Sequence, residues 1–373
     1  MSKDTTTKQA TQAYVSVISH HHEAIIEKLG SLKRLAQHPS ITVILRNNVP
    51  RSEGDNQDTA SAASKDTRPT DTVNQANASH QVLANYCQQH GIEYVINERP
   101  QGFAANNNDN FLHAQSLGMQ SRDMFIVLNP DVHINGPTIR QMMDCIAFRD
   151  GIELANHSGD GCPNEPHHQA PIELATVNLF LNSKRSVFDD NLRRYPNLLN
   201  FARNYLLRDR STVVDKSHPV AAGERFWASA AFLLCRASLY QQLCGFDERY
   251  YMYCEDIDFC LRAEQLGYPV EFLPKLSAIH YRRRHSQRFM SKAFRQHLHS
   301  VWLFSLAKRG WATMKSRLPA LAGDPVACHS AETHNQSEQS KYRLKSAVDP
   351  KAPAQGRARP KTELSAAQAS VLK

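Results

Sequence analysis

Met124-Phe125-Ile126-Val127-Leu128-Asn129-Pro130-Asp131 is the stretch on which the fold turns. Its first five residues form a short, wholly apolar run that reads as a buried strand. Pro130 confines Asn129 to extended backbone and stops the sheet there. Ligands of open α/β sheets bind at that edge. Asn129 and Asp131 therefore offer hard oxygen donors where a divalent ion and a phosphate would meet, the chemistry of Mg²⁺ or Mn²⁺ rather than zinc. Taken alone, Asn-Pro-Asp also suits an ordinary turn.

Working outward, Tyr14–Ile18 and Ile41–Leu45 read as strands separated by a helix-like piece with Ile25, Ile26, Leu29, Leu32 and Leu35, a β-α-β opening. A helix near Gln81–His90, a strand at Glu93–Asn97 and a helix near Asn108–Leu117 then lead into Met124–Leu128. This alternation predicts an α/β fold with a mainly parallel sheet. Residues 51–79 are rich in Ser, Thr, Asp, Asn and Gln and read as a mobile insertion. Residues 322–373, poor in large apolar side chains, read as a disordered basic tail.

The second informative stretch is Gly245-Phe246-Asp247-Glu248-Arg249-Tyr250-Tyr251-Met252-Tyr253-Cys254-Glu255-Asp256-Ile257-Asp258. Apolar residues at Ile257, Cys260, Leu261 and Leu266, followed by Gly267 and Pro269, predict an amphipathic helix. Glu255, Asp256 and Asp258 then sit in its first turn, where the positive helix end stabilises carboxylates. Acids there can be no more than capping. A second acidic element upstream and His280 downstream, both in loops after strand-like runs, favour a catalytic cluster.

The chain has 373 residues, 41% of them hydrophobic, enough for a sizeable core. Its eight cysteines form no C-x-x-C pair, no apolar leader follows Met1, and no run approaches a membrane span. A reducing cytoplasmic location with free thiols is the expectation. The net charge is +8, and ten Lys and Arg accumulate from Arg282 to Arg317. No zinc, RNP-type or helix-turn-helix pattern accompanies that charge, so nucleic acid is not an expected partner. Aromatic and aliphatic residues among the same cations, Trp302 and Trp311 included, suit a helix on a membrane surface or one packed on the domain with a solvated basic face.

Asn129-Pro130-Asp131, Trp227-Ala228-Ser229-Ala230-Ala231-Phe232, Gly245-Phe246-Asp247-Glu248, Glu255-Asp256-Ile257-Asp258 and Ile279-His280 occur in the order seen in inverting family 2 glycosyltransferases. The chain resembles that family, and within it the bacterial rhamnosyltransferase group, over about residues 12–310. Gly102-Phe103-Ala104-Ala105-Asn106-Asn107 matches as well. The resemblance implies a GT-A fold, with a nucleotide-binding half to about 135 and an acceptor half at about 136–290. A basic, aromatic helical extension follows at 291–321.

By resemblance, Asp131 is the last position of the metal-binding D-x-D element, Asn129 replaces its first acid, His280 completes the metal or diphosphate site, and Asp256 is the catalytic base. Glu255 and Asp258 would orient the acceptor or raise the basicity of Asp256 by like-charge repulsion. Donor and acceptor contacts are expected from Asn47, Gly102, Phe103, Asn106, Asn129, Trp227 and Arg283. The implied donor is a nucleotide-diphosphate sugar, dTDP-L-rhamnose first. The implied acceptor is a surface polysaccharide, lipopolysaccharide or lipid-linked glycan, reached from a peripheral position on the inner face of the cell membrane.

Asn47 and Asn48 stand where relatives carry an acid for base or ribose recognition, Cys244 replaces a glycine, and Ala228-Ser229-Ala230 replaces a glycine-containing loop. A UDP-sugar donor (galactofuranose, glucose or N-acetylglucosamine) and a catalytically silent glycan-binding scaffold therefore stay open as alternatives.

Overall fold

The computed structural model describes residues 10–49, 69–152, 170–197, 200–201, 203, 209–221, 223–282, 292–308, 314–319 and 328–330. All of them fall within one compact unit ending at Asn335. Arg283, the insertion before Pro69 and the tail after Ser330 lie outside them.

The chain opens with β1 (Ala13–Ser19), α1 (Glu23–Leu29), α2 (Ser31–Ala36) and β2 (Ile41–Asn47). The single helix expected between the first strands is broken because Gly30 adopts a left-handed φ of 57° and receives the end of α1 through its N–H to Ile26. Next come α3 (Pro69–His90), β3 (Glu93–Ile96), α4 (Phe103–Ser116), β4 (Met124–Leu128), β5 (Val132–His133), α5 (Gly136–Arg149) and β6 (Leu174–Phe180). The expected mobile insertion is therefore helical from Pro69 onward; its polar composition concealed a helix that continues into the apolar stretch ending at His90. β7 (Leu192–Arg193), β8 (Trp227–Ala228), β9 (Phe232–Arg236), α6 (Ala237–Gln242), α7 (Glu255–Gln265), β10 (Glu271–His280), α8 (Lys292–Ala307), β11 (Met314–Ser316) and β12 (Cys328–Ser330) complete the order. The last strand pairs with β11, so the tail is not wholly irregular.

Eight strands form one sheet in the order β3-β2-β1-β4-β9-β6-β10-β5. β3, β2, β1 and β4 are mutually parallel, β9 runs against β4 and β6, and β10 is parallel to β6. Side chains alternate between two cores, as strand geometry requires. Met124, Ile126 and Leu128 face one, with α1, α2, α3 and α5; Phe125 and Val127 face the other, with α4, α6 and α7. Because both faces are covered, β4 carries the continuous apolar run read in the sequence. The strands β1, β2, β4, β6 and β10 all end at one edge, where β9 begins.

The extension after residue 291 is more than a helix. β11 lies along the Gly245–Glu248 turn: Glu248 N–H donates to Lys315 O at 2.7 Å and Lys315 N–H to Asp247 Oδ1 at 3.2 Å. Arg317 clamps Glu248 and Asp109. Four cysteines (Cys87, Cys235, Cys254 and Cys260) are free and buried, whereas Cys145 and Cys244, which belong to the two separate cores, are each in a disulfide of their own. The expectation of free thiols throughout is corrected to that extent. Among the described residues no helix is long and apolar enough to cross a membrane.

Candidate active site

At the shared edge, β10 and β5 pair antiparallel with His280 opposite Val132, and Tyr281 N–H donates to Asp131 O at 3.1 Å. Two positions about 150 residues apart in sequence are thereby fixed side by side. His280 Nε2 is 3.3 Å from Asp131 Oδ1, and Nδ1 is 2.7 Å from Asp189 Oδ2. Asp189, buried, is also held by the Arg282 guanidinium. Burial alone would lower the His280 pKa, but the hydrogen bonds to both carboxylates raise it to about 9. Burial pushes Asp189 up in turn; the His280 hydrogen bond and the Arg282 charge outweigh it and hold the carboxyl below its usual range.

Asp256 reaches the same edge from the opposite face. The β8–β9 loop is pinned on one side by Asn129 N–H to Ala231 O at 2.9 Å and on the other by Ser229 N–H to Asn191 O at 2.8 Å. Its Ala230 N–H lies 3.4 Å from Asp256 Oδ2, and Ile257 N–H donates to Asp256 Oδ1 at 2.9 Å. Asp256 is half-buried. Burial raises its pKa to about 6, against the opposing pull of those N–H groups and of the Arg193 charge. A carboxylate that is ionised at neutral pH, yet more basic than free aspartate, suits proton abstraction from a hydroxyl.

No protein-family model matches the chain. The Escherichia coli K12 rhamnosyltransferase WbbL is 28% identical over 299 residues, 79% of this chain and 93% of that protein. The chain is a glycosyltransferase. An N-acetylglucosaminyl-diphospho-decaprenol L-rhamnosyltransferase of Mycobacterium tuberculosis is 36% identical over 87 residues, 23% of this chain and 28% of that protein. Among solved structures, the Pyrobaculum calidifontis mannosyltransferase PcManGT in complex with GDP-Man and Mn²⁺ is similar at 12% identity and a TM-score of 0.40, covering 74% of this chain and 59% of that one.

The glycosyltransferase spends several of the expected site residues elsewhere. Asn47 is fully buried, its Nδ2 within 3.1 Å of both His80 Nδ1 and Tyr94 Oη and its Oδ1 taking Val49 N–H at 3.2 Å. Asn106, also fully buried, donates to Gln101 O and Gly102 O and accepts from Asn97. Gly102 is a close approach: a Cβ there would sit 2.7 Å from Tyr251 O. Phe103 donates its N–H to that same oxygen at 2.9 Å and packs on Phe246. Gly102 and Phe103 thereby tie the start of α4 to the loop before α7. Asp258 is likewise committed, to Arg262 at 2.8 Å, and Arg262 in turn donates to the carbonyls of Leu243 and Gly245.

Asn129 and Trp227 remain half-buried at the edge, and Trp227 Nε1 has no hydrogen-bond partner. Glu255 is buried with Oε2 unpartnered, and burial together with the adjacent Asp256 pushes its pKa well above the carboxylate range. The ionised member of the pair is therefore Asp256.

Sequence reasoning missed Asp189, Arg193 and Lys216. Lys216, buried, donates to Leu179 O at 3.0 Å and Asn191 Oδ1 at 2.7 Å, and burial lowers its pKa to about 8. Asp189-Asp190 lies nine residues beyond β6, too far from the strand end to be signalled by it as Asn129-Pro130-Asp131 is by β4.

Among the described residues no three His, Cys, Asp or Glu side chains could hold a metal by themselves. Asp131 and His280 supply one carboxylate and one imidazole; because His280 is held protonated between two carboxylates, an ion that keeps water and takes its other ligands from substrate phosphates would bind here only with loss of the Nε2 proton. A separate cavity of about 450 Å³ lies at the opposite edge, where Arg236 is already paired with Asp150 at 2.8 Å.

Proposed function

We propose that the glycosyltransferase moves a sugar, L-rhamnose from dTDP-L-rhamnose, onto a lipid-linked glycan during surface polysaccharide or lipopolysaccharide assembly, with inversion at the anomeric carbon. The observation that carries the donor sugar is the likeness to WbbL across 93% of that protein. A lipid-linked acceptor is supported by the name of the mycobacterial relative, which acts on a diphospho-decaprenol.

The geometry suits a single displacement. Asp256 accepts the proton of the acceptor hydroxyl, the freed oxygen pair attacks the anomeric carbon, and the bond to the nucleoside diphosphate breaks on the opposite face. Ala230 N–H and Ile257 N–H hold the carboxylate in place while its burial raises its basicity. Asp131 and His280 would hold Mg²⁺ or Mn²⁺, which neutralises charge on the departing diphosphate. Asp189 and Arg282 keep the His280 ring turned toward Asp131. Trp227, half-buried at the edge, would stack on a sugar face.

The test is product formation from a panel of dTDP- and UDP-sugars with a membrane extract as acceptor and Mn²⁺ or Mg²⁺ present. Transfer from dTDP-rhamnose alone is expected; transfer only from a UDP-sugar would overturn the donor, and no transfer from any of them would overturn the enzymatic reading.

A further inference from the structure

We infer that Arg193 is a positioning residue for the proposed reaction, a largely buried cation that the fold turns toward Asp256 and that holds this carboxylate ionised and oriented. Arg193 lies on β7 directly opposite Trp227 on β8, and Leu192 lies opposite Ala228. Residues opposed in an antiparallel pair project from the same face, so the Arg193 and Trp227 side chains leave the ribbon together. That face packs against the start of α7. Trp227, and Tyr195 two residues beyond Arg193, lie on the cluster holding Tyr250, Cys254 and Ile257, the last two flanking Glu255-Asp256. Cys260 of α7 returns the contact, its Sγ–H donating to Ala228 O at 3.6 Å. The same ladder continues through Ser229 N–H on Asn191 O and sets Ala230 N–H on Asp256. Arg193 and Asp256 therefore approach each other across one short ribbon, and the Arg193 charge favours the ionised carboxylate against the burial that opposes it.

Arg193 is itself held by a carboxylate whose neighbour has a matching task. Asp190 takes Arg193 Nη2 on Oδ2 and Arg193 Nε on its carbonyl, both at 3.3 Å, and Arg210 Nη2 on Oδ1 at 2.6 Å. Asp189, the preceding residue, holds His280 and Arg282. One dipeptide thus fixes the histidine that faces Asp131 and the cation that faces Asp256. Among the described residues flanking Asp256, the others do not supply this charge. On its own helix Glu255 is kept protonated by burial and by Asp256, Asp258 is neutralised by Arg262 at 2.8 Å, and burial keeps the Cys254 and Cys260 thiols protonated. The β8–β9 loop offers the Ala230 N–H, and His297 of α8, turned edge-on to Tyr253, is kept neutral by burial. The inference rests on Asp256 as the proposed base, but it is measured without donor, acceptor or metal, so either can fail alone.

The experiment compares melting temperatures across the pH range for the full chain and its Asp256→Asn variant, and for the same two in an Arg193→Gln background. The stability that Asp256 contributes falls as pH rises and levels off above its folded pKa. The pH at which the difference between the two curves becomes constant therefore reads this group, about 6 in the parent. Without the guanidinium that point should move up by about one pH unit, about a tenfold gain in proton affinity, while Arg193→Lys, which keeps the charge, should stay within about threefold of the parent. The acid limb of kcat/KM should move with it, and the Mn²⁺ concentration for half-maximal rate should not. An unchanged levelling point in Arg193→Gln, or an equal shift in Arg193→Lys, would overturn the inference, because packing and not charge would then account for the residue. If Arg193→Gln does not fold, a crystal structure of the parent gives the answer: a guanidinium turned to Asp256 upholds the inference, and one turned away into solvent overturns it.

Discussion

Replacing Asp256 with Asn removes a proton acceptor while leaving an oxygen that can still take the Ala230 or Ile257 N–H. A positioned general base contributes about 10²–10⁴-fold, so transfer by Asp256→Asn should fall by that factor with donor affinity little changed. Stability separates chemistry from misfolding. Because burial raises Asp256 to about 6, the folded chain binds that proton more tightly than the unfolded one, which has the ordinary aspartate value. The group thus stabilises the fold below about pH 4 and loses that contribution as pH rises through about 6. At neutral pH the ionised carboxylate is a cost, and Asp256→Asn should raise the melting temperature while transfer falls by that factor.

The same pKa predicts the pH profile of the parent enzyme. With a base of pKa about 6 in the free protein, about nine-tenths is ionised at pH 7 and about one-tenth at pH 5, so kcat/KM should drop about tenfold between them. The assay is initial rate against pH with donor well below saturation, with thermal denaturation at each pH to verify folding. A flat rate from pH 5 to 8, or an Asn variant within tenfold of the parent, would refute the assignment of Asp256 as base.

Asp189→Asn leaves His280 with a weaker partner at Nδ1, and the Mn²⁺ concentration for half-maximal rate should rise about 10–100-fold, the usual effect of losing a residue that orients a metal ligand; an unchanged metal titration would refute the positioning role. Gly102→Ala places a methyl 2.7 Å from Tyr251 O and 2.8 Å from its Cα, both backbone, so about 1–3 kcal/mol of stability should be lost in urea unfolding. Arg262→Ala strips a buried Asp258 of its partner and two carbonyls of their donor. A loss of about 3–5 kcal/mol is expected, and a near-neutral variant would show that Asp258 is free to act elsewhere.

The sheet was legible where burial on both faces forces an unbroken apolar run, as in Met124–Leu128, and where turn chemistry closes it, as at Pro130. Asp131, His280 and Asp256 were singled out because each stands just beyond a strand or at a helix start, and the fold sets the first two side by side. Asn47 and Asn106 misled, because an Asn side chain serves a buried network as readily as a ligand and its spacing carries no sign of which. Asp189 was invisible for a different reason. Its role exists only through His280 and Arg282, more than 90 residues away, and no local period encodes such a pairing.

How Glu255 and Asp256 come to face the edge follows from backbone that the sequence does not advertise. Tyr253 and Cys254, neither of them glycine, take φ of 72° and 67° in succession. Such conformations cost about 1–3 kcal/mol each and persist only when packing over-determines them. Here the Cys254 side chain is buried with Ile257, Leu303 and Phe304, and the loop is tied by Phe103 N–H to Tyr251 O and by Ser300 to Met252 O. The turn therefore depends at once on α4 through Phe103, on α8 through Ser300, and on the acid helix it introduces. Loosening any of the three should misplace Asp256 relative to Ala230, which makes α8 part of what aims the proposed base and not an appendage to the fold.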